Sequence, residues 1–293
     1  MKITIYVNLF ILIFTGLLFS QDTEIQKTDT GARSAIVEVD GYSYLSEDKT
    51  IKEIREEALT NAKRMALEQA HTFISSQSKV KNFQLEYDIV ISEAEGAVRV
   101  LESKDHGITD DNRYHTWIKA EVTYDLKRSD DKMDISEDLV KDPDAPLTVY
   151  IWTERGEYNA GEKIIVYLQG NKDFYARVVY RDVQGNLLQL LPNPHRRDNF
   201  FMGGKVIRIP GEGDRFDLEV GPPFGIENII VYASSAEMGD ADVTVAGDAL
   251  YSVQGDLKDY GIKTRGVKIV KSEGETTSGA EFYEAKCDVK TRM

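Results

Sequence analysis

The amino-acid sequence predicts an α+β region, one long helix on an antiparallel sheet, followed by an all-β sandwich. Three patterns carry this expectation. Small and apolar residues recur at helical spacing between Ile51 and Phe73. From Tyr114 to Leu126 the side chains sort onto two faces by strict alternation. From Leu147 onward, short apolar runs are separated by glycine-bearing turns.

The elements follow in order along the 293 residues. Lys2, the apolar run Ile3 to Phe19 and the small residue Ser20 have the order of a secretory signal peptide over 1–20. The rival reading is an uncleaved anchor, and the run sits at the short end of the ~17–25 residues a bilayer span needs. No cysteine lies near Ser20, so acylation as a lipoprotein at that junction is not expected. A polar leader over 21–33 precedes an α+β domain over 34–126. Ala35 to Val39 reads as a strand ending near Asp40-Gly41, and Ser46 to Lys49 as a turn.

Thr50 and Glu53 form a capping box. It opens a helix running from Ile51 to about Phe73 with Ile51, Ile54, Ala58, Ala62, Met65, Ala66 and Phe73 on one stripe. Alanine every fourth position lets such a helix lie close to a sheet. Gln69, inside the stripe, is expected to hydrogen-bond a strand end. Val98 and Val100 belong to a strand, residues 108–112 to a hairpin loop, and Tyr114 to Leu126 to the clearest strand. Its second face (His115, Trp117, Lys119, Glu121, Thr123, Asp125) is expected to be wet. Trp117 is the exception there, either an interface anchor or a ring covered by the linker or second domain. An acidic, solvated linker spans 127–145, with a helical turn around Ser136 to Val140.

The second domain, 146–293, carries expected strands at Leu147 to Ile151, Ile164 to Leu168, Phe174 to Tyr180, Leu187 to Leu191, Lys205 to Ile209, Phe216 to Val220, Ile229 to Ala233, Val267 to Val270 and Glu281 to Val289. Between Met238 and Gly261 the pattern is ambiguous. Leu250, Val253, Leu257 and Tyr260 have helical spacing, and Gly255 opposes it. The one cysteine, Cys287, shares a strand face with Tyr283, Ala285 and Val289 and reads as a core residue.

Two resemblances attach to these residues. Tyr158-x-x-Gly161-Glu162, the Val178 to Gly185 hairpin, Leu191-Pro192-Asn193, Ile209-Pro210, Gly221-Pro222-Pro223-Phe224-Gly225 before Ile229 to Ser234, and Thr264 to Val267 resemble the domain of unknown function 4384 family. That resemblance covers about Pro146 to Met293, implies a β-sandwich and supplies no catalytic residue. The alanine helix from Glu57-Ala58 to Gln69-Ala70, with Lys79 to Glu86, Glu95 to Val98 and Tyr114 to Leu126, is similar to the amino-terminal domain of flagellar assembly protein T and related envelope lipoproteins. That likeness implies an exported, structural role.

A formal charge of −14 disfavours nucleic acid and anionic membrane surfaces as partners. His71, His106, His115 and His195 form no metal-binding spacing. No nucleophile elbow or phosphate-cradling glycine loop occurs in a strand–turn–helix context, so no cofactor is expected. Asp110-Asp111-Asn112 and Asp240-Ala241-Asp242 offer oxygens for calcium without the full ligand series. The interaction candidates are His195, Arg196, Arg197, Phe200, Phe201 and Trp117, because arginine beside aromatics is a common interface composition. The plainer reading of the 195–201 loop pairs its arginines with local acids and plugs the sandwich end with its phenylalanines. The expectation is an exported, non-catalytic module whose partner is an envelope protein or polymer. A cell-wall glycan hydrolase and a calcium-dependent adhesion module are the alternatives.

Overall fold

The computed structural model describes residues 31–77, 80–81, 84–85, 87–91, 97–128, 139–246, 250–269 and 279–293. The signal-like segment 1–20 lies outside them, as do residues 129–138 of the expected linker. The order begins β1 (Ala32–Tyr44), α1 (Ile51–Gln77), β2 (Val80–Lys81), β3 (Gln84–Leu85), β4 (Tyr87–Ile91), β5 (Val98–Ile108) and β6 (Arg113–Arg128). Then come β7 (Val149–Thr153), β8 (Glu157–Asn159), β9 (Val166–Gly170), β10 (Phe174–Arg181), β11 (Leu187–Leu191), β12 (Phe200–Phe201) and β13 (Val206–Ile209). β14 (Ile226–Ser234), β15 (Val243–Ala246), β16 (Leu250–Val253), α2 (Leu257–Thr264) and β17 (Gly279–Arg292) complete it. The α+β half and the β-rich half are both present.

Their sheets are continuous. A 12-stranded sheet runs β15-β16-β11-β10-β14-β17-β1-β6-β4, with β12 on β10, β5 on β6 and β8 on β17. The join is the pairing of the last strand with the first, from Ala32 opposite Glu284 to Val37 opposite Gly279. β17 also pairs β14 from Ile226↔Lys290 to Ser234↔Phe282. A three-stranded sheet, β13-β9-β7, forms the second layer of the sandwich.

Register assigns the faces. Ala35 and Glu281 oppose one another, and so do Ile36 and Ala280, so the odd-numbered residues of β1 and β17 share one face. On this inner face α1 covers β1 and β6, and the three-stranded sheet covers β10, β14 and β17. The two cores contain Val37, Ala62, Ala66 and Ile118, and Val149, Leu168, Val231 and Ala285. α2 packs on the opposite, outer face over Ile36, Tyr232 and Phe282.

Helix α1 begins as expected. The Glu53 carboxylate accepts from Thr50 N at 2.7 Å, and Glu53 N donates to Thr50 Oγ1 at 3.3 Å. Its buried residues are Ile54, Ala58, Ala62, Ala66, Ala70, Phe73 and Ile74. Ile51 and Met65, assigned to the stripe, are 53% and 42% exposed, because they lie at its margin. Gln69 Nε2 donates to Glu38 O of β1. Strand β1 does not end at Gly41 but continues to Tyr44. A Cβ at Gly41 would lie 2.3 Å from Ala58 O and 2.6 Å from Ala62 Cβ. The glycine therefore serves close approach of helix to strand, not a turn.

Three other expectations change. Phe216 to Val220 forms no named strand; it makes a bridge from Glu219 to Lys163, and Leu218 and Val220 share backbone bonds with Gly161, Glu162 and Ile164. Val267 is buried, and Lys268 N bonds Glu237 O outside any strand. The ambiguous stretch divides into the β15–β16 hairpin and α2, whose N-cap Asp256 accepts from Asp259 N. Gly255, at φ 95°, turns the chain between them, so Leu250 to Tyr260 share no common helix. The end of the expected linker is not solvated either. Leu139, Ala145 and Leu147 are buried, and Asn171 Nδ2 donates to the carbonyls of Asp142, Ala145 and Pro146.

Candidate functional site

The outer face at the β1–β6–β5 end carries rows of aromatic and charged side chains set by register. Tyr44 lies opposite Arg113, Tyr42 opposite His115, and Asp40 opposite Trp117. On the other edge of β6, Trp117 faces Lys104 and His115 faces Gly107. A bulge between Asp105 and Gly107 leaves His106 as the extra residue, and its ring turns onto that of His115. Centroids are 4.6 Å apart for Tyr42–His115 and 4.5 Å for His106–His115, both stacked. Arg113 lies 4.3 Å over Tyr42 and Lys104 lies 4.8 Å over Trp117. His115 Nε2 is 2.6 Å from Asp40 Oδ1, which fixes the imidazole plane. Tyr44 is 73% exposed.

Cover begins one row beyond Trp117. Lys119 pairs with Glu38 at 3.0 Å and donates to Val267 O at 2.9 Å. In the next row Glu121, expected on a wet face, is 3% exposed. It accepts from Ser34 Oγ at 2.8 Å and Arg265 Nε at 2.6 Å, and pairs with Arg99 at 3.3 Å. Arg265 also reaches Glu284 at 2.6 Å and lies over Phe282 and Tyr232. Burial alone would lower the pKa of this guanidinium, but Glu121 and Glu284 hold it above its ordinary value. The second face of β6 is thus half covered because the chain after α2, at Arg265 and Val267, packs there. Trp117 sits partly exposed at the border.

The 195–201 loop is elsewhere. β12 pairs β10, and β14, β17 and β1 separate β10 from β6 in the sheet. His195 and Arg197 are exposed. Arg196 pairs with Asp214 at 3.2 Å and lies over the Phe201 ring. Phe201 is 6% exposed and packs on Phe174, whereas Phe200 is 43% exposed, edge-on to Tyr175. Arg196 and Phe201 thus follow the plainer reading of the loop, whereas Arg197 and Phe200 are exposed.

Other ionisable groups are committed locally. Asp111 bonds Thr109 Oγ1 and Arg113 Nε, and Asp242 pairs with Lys263. Among the described residues, no group of three or more His, Cys, Asp or Glu is set to hold a metal ion. Glu227 and Asp182 have carboxyls shifted in opposite directions, as an acid–base pair would. Desolvation raises Glu227, and the hydrogen bonds of Asn186 and the turn amides outweigh desolvation to lower Asp182. Yet Glu227 is 1% exposed and accepts from Thr291 at 3.1 Å, so no substrate reaches it. His71 lines a groove of α1 and β4 with Leu67 and Ile91. Cys287 is 4% exposed, and burial pushes its thiol up to about 11. Sequence reasoning missed Tyr42 and His106. Alternation marks Tyr42 once its partner strand is known, but His106 arrives through a bulge that no periodicity reveals.

These features define a β-rich α+β protein with an open aromatic sheet face. No described helix is long and apolar enough to cross a membrane. Residues 157–237, from β8 to just past β14, match the family described as Domain of unknown function (DUF4384). The match is narrower than the resemblance read from Pro146 to Met293, and all three cis prolines, Pro192, Pro210 and Pro223, fall within it. No curated protein and no solved structure matches the chain. The resemblance of the first half to flagellar assembly protein T has no support from these comparisons.

Proposed function

We propose that the protein is an exported, non-catalytic envelope component that binds a partner protein or envelope polymer through the outer-face rows of β1, β6 and β5. The observation that carries this reading is the stack Tyr42–His115–His106 beside Trp117, flanked by exposed Tyr44. Planar rings held rigid on strands offer large contact area at small entropic cost, and flanking Arg113 and Lys104 add directional polar contacts. Planar sugar faces and apolar side chains both fit such a surface. Export rests on the Lys2 to Ser20 pattern.

The test is crosslinking in intact cells followed by recovery of the tagged full chain. Wild type is expected in the envelope fraction with a reproducible partner. The variant Tyr42→Ala/His115→Ala/Trp117→Ala should stay folded and lose that partner at least tenfold, in line with truncation of interface anchors. A chain found in the cytosol with Met1 retained, or a triple variant that captures the same partner undiminished, would overturn the proposal.

A further inference from the structure

Among the described residues, two guanidinium groups are buried on the outer face of the large sheet, and one of them is neutralised. Arg265 is bracketed by Glu121 and Glu284. Arg177 of β10, in register with Tyr232 of β14, is 8% exposed, and its Nε and Nη1 have no hydrogen-bond partner. The nearby polar groups are already engaged. Tyr260 donates its phenol proton to Gln189 Oε1 at 2.7 Å, and Gln189 Nε2 donates to Pro192 O at 2.7 Å. Asp240 is exposed and forms no ion pair with Arg177, although its charge acts on it at longer range.

A guanidinium stays protonated in a protein even where burial works against it. Water would satisfy its N–H groups but not its charge, and buried charges are held by counter-charges. We propose that Arg177 forms a receptor for a small oxyanion, a carboxylate or phosphate group of a ligand. The phenols of Tyr232 and Tyr260, with ring centroids 5.7 Å apart, wall the site. The charge of exposed Asp240 acts on Arg177 and, in so acidic a chain, opposes diffuse attraction of anions. Binding is therefore specific to the Arg177 position and independent of the β1–β6–β5 face.

The experiment uses the full chain in chloride buffer, exchanged at constant ionic strength for sodium acetate or inorganic phosphate. Thermal unfolding is followed for wild type and Arg177→Met. At an anion concentration a hundredfold above Kd, the wild-type Tm should rise by roughly 5 °C, and Arg177→Met should show none of that rise. In chloride alone Arg177→Met should be at least as stable as wild type, because it keeps the stem and removes an unpaired charge. On wild-type protein labelled at arginine nitrogen, the one Nε–H resonance lost in Arg177→Met should move on titration. A response to acetate alone assigns a carboxylate, to phosphate alone a phosphate group, and to both an oxyanion of either kind. No shift at that resonance, or a stabilisation that survives in Arg177→Met, overturns the proposal.

Discussion

Substituting Arg265→Met should weaken both halves of the protein together. The guanidinium belongs to the carboxy-terminal half, and its most buried partner, Glu121, to the amino-terminal half. Removing it leaves Glu121, 3% exposed, with the Ser34 hydroxyl and Arg99, whose own side chain is 54% exposed. Breaking a buried pair from one side costs about 3–5 kcal/mol. Arg99 remains at 3.3 Å and softens the loss, which argues for the lower end. Glu284 is 34% exposed on its side chain and contributes under about 1 kcal/mol. A net loss of about 3–4 kcal/mol corresponds to a Tm lowered by roughly 8 °C for a chain of this size.

The assay is urea unfolding followed by fluorescence, because the two tryptophans report on different halves. Trp117 lies in β6, and Trp152 lies in β7, stacked on Tyr167. With Trp117→Phe and Trp152→Phe backgrounds, both probes should shift to the same lower midpoint. Adding Glu121→Gln to Arg265→Met should recover much of the loss, since no carboxylate is then stranded. The reasoning fails if Arg265→Met leaves the midpoint unchanged, or if the two tryptophans unfold at separate urea concentrations.

Glu227→Gln should stabilise the protein at neutral pH. Desolvation raises the native carboxyl pKa, only partly opposed by Tyr180 and Thr291. The native state therefore holds this proton more tightly than the unfolded chain does. Its stabilising contribution is complete below the unfolded value of about 4.3 and is lost as pH rises through the native value. Denaturation midpoints should favour the variant at about pH 8 and converge at about pH 4; a variant less stable at both would refute the assignment. For Cys287, with its thiol raised to about 11, an aromatic disulfide reagent at mild alkaline pH should react with native protein roughly a hundredfold more slowly than with unfolded chain. Equal rates would show that the thiol is not buried.

Local order was legible wherever one element sets its own pattern. The capping box at Thr50, the alternation of Tyr114 to Leu126 and the hairpin turn at Asp182 to Asn186 needed no knowledge of distant partners, because caps, pleats and turns are decided within a few residues. Cys287 was placed in the core by the same alternation. What the pattern could not show was what lay against each face. Glu121, Lys119 and Trp117 look equivalent in sequence, yet Arg265, just after α2, pairs with the buried first, a carbonyl caps the second and the third stays at the border.

The sequence by itself determined the long helix with its cap, most of the longer strands and the apolar face of each, because those properties follow from spacing along one chain. Only the tertiary structure decided that the last strand pairs with the first and makes one sheet of two regions. It also decided that a bulge adds His106 to the aromatic row, and that Arg265 is neutralised while Arg177 is not. Each of these depends on contacts between residues far apart in sequence, and their partners are fixed by where the whole chain packs.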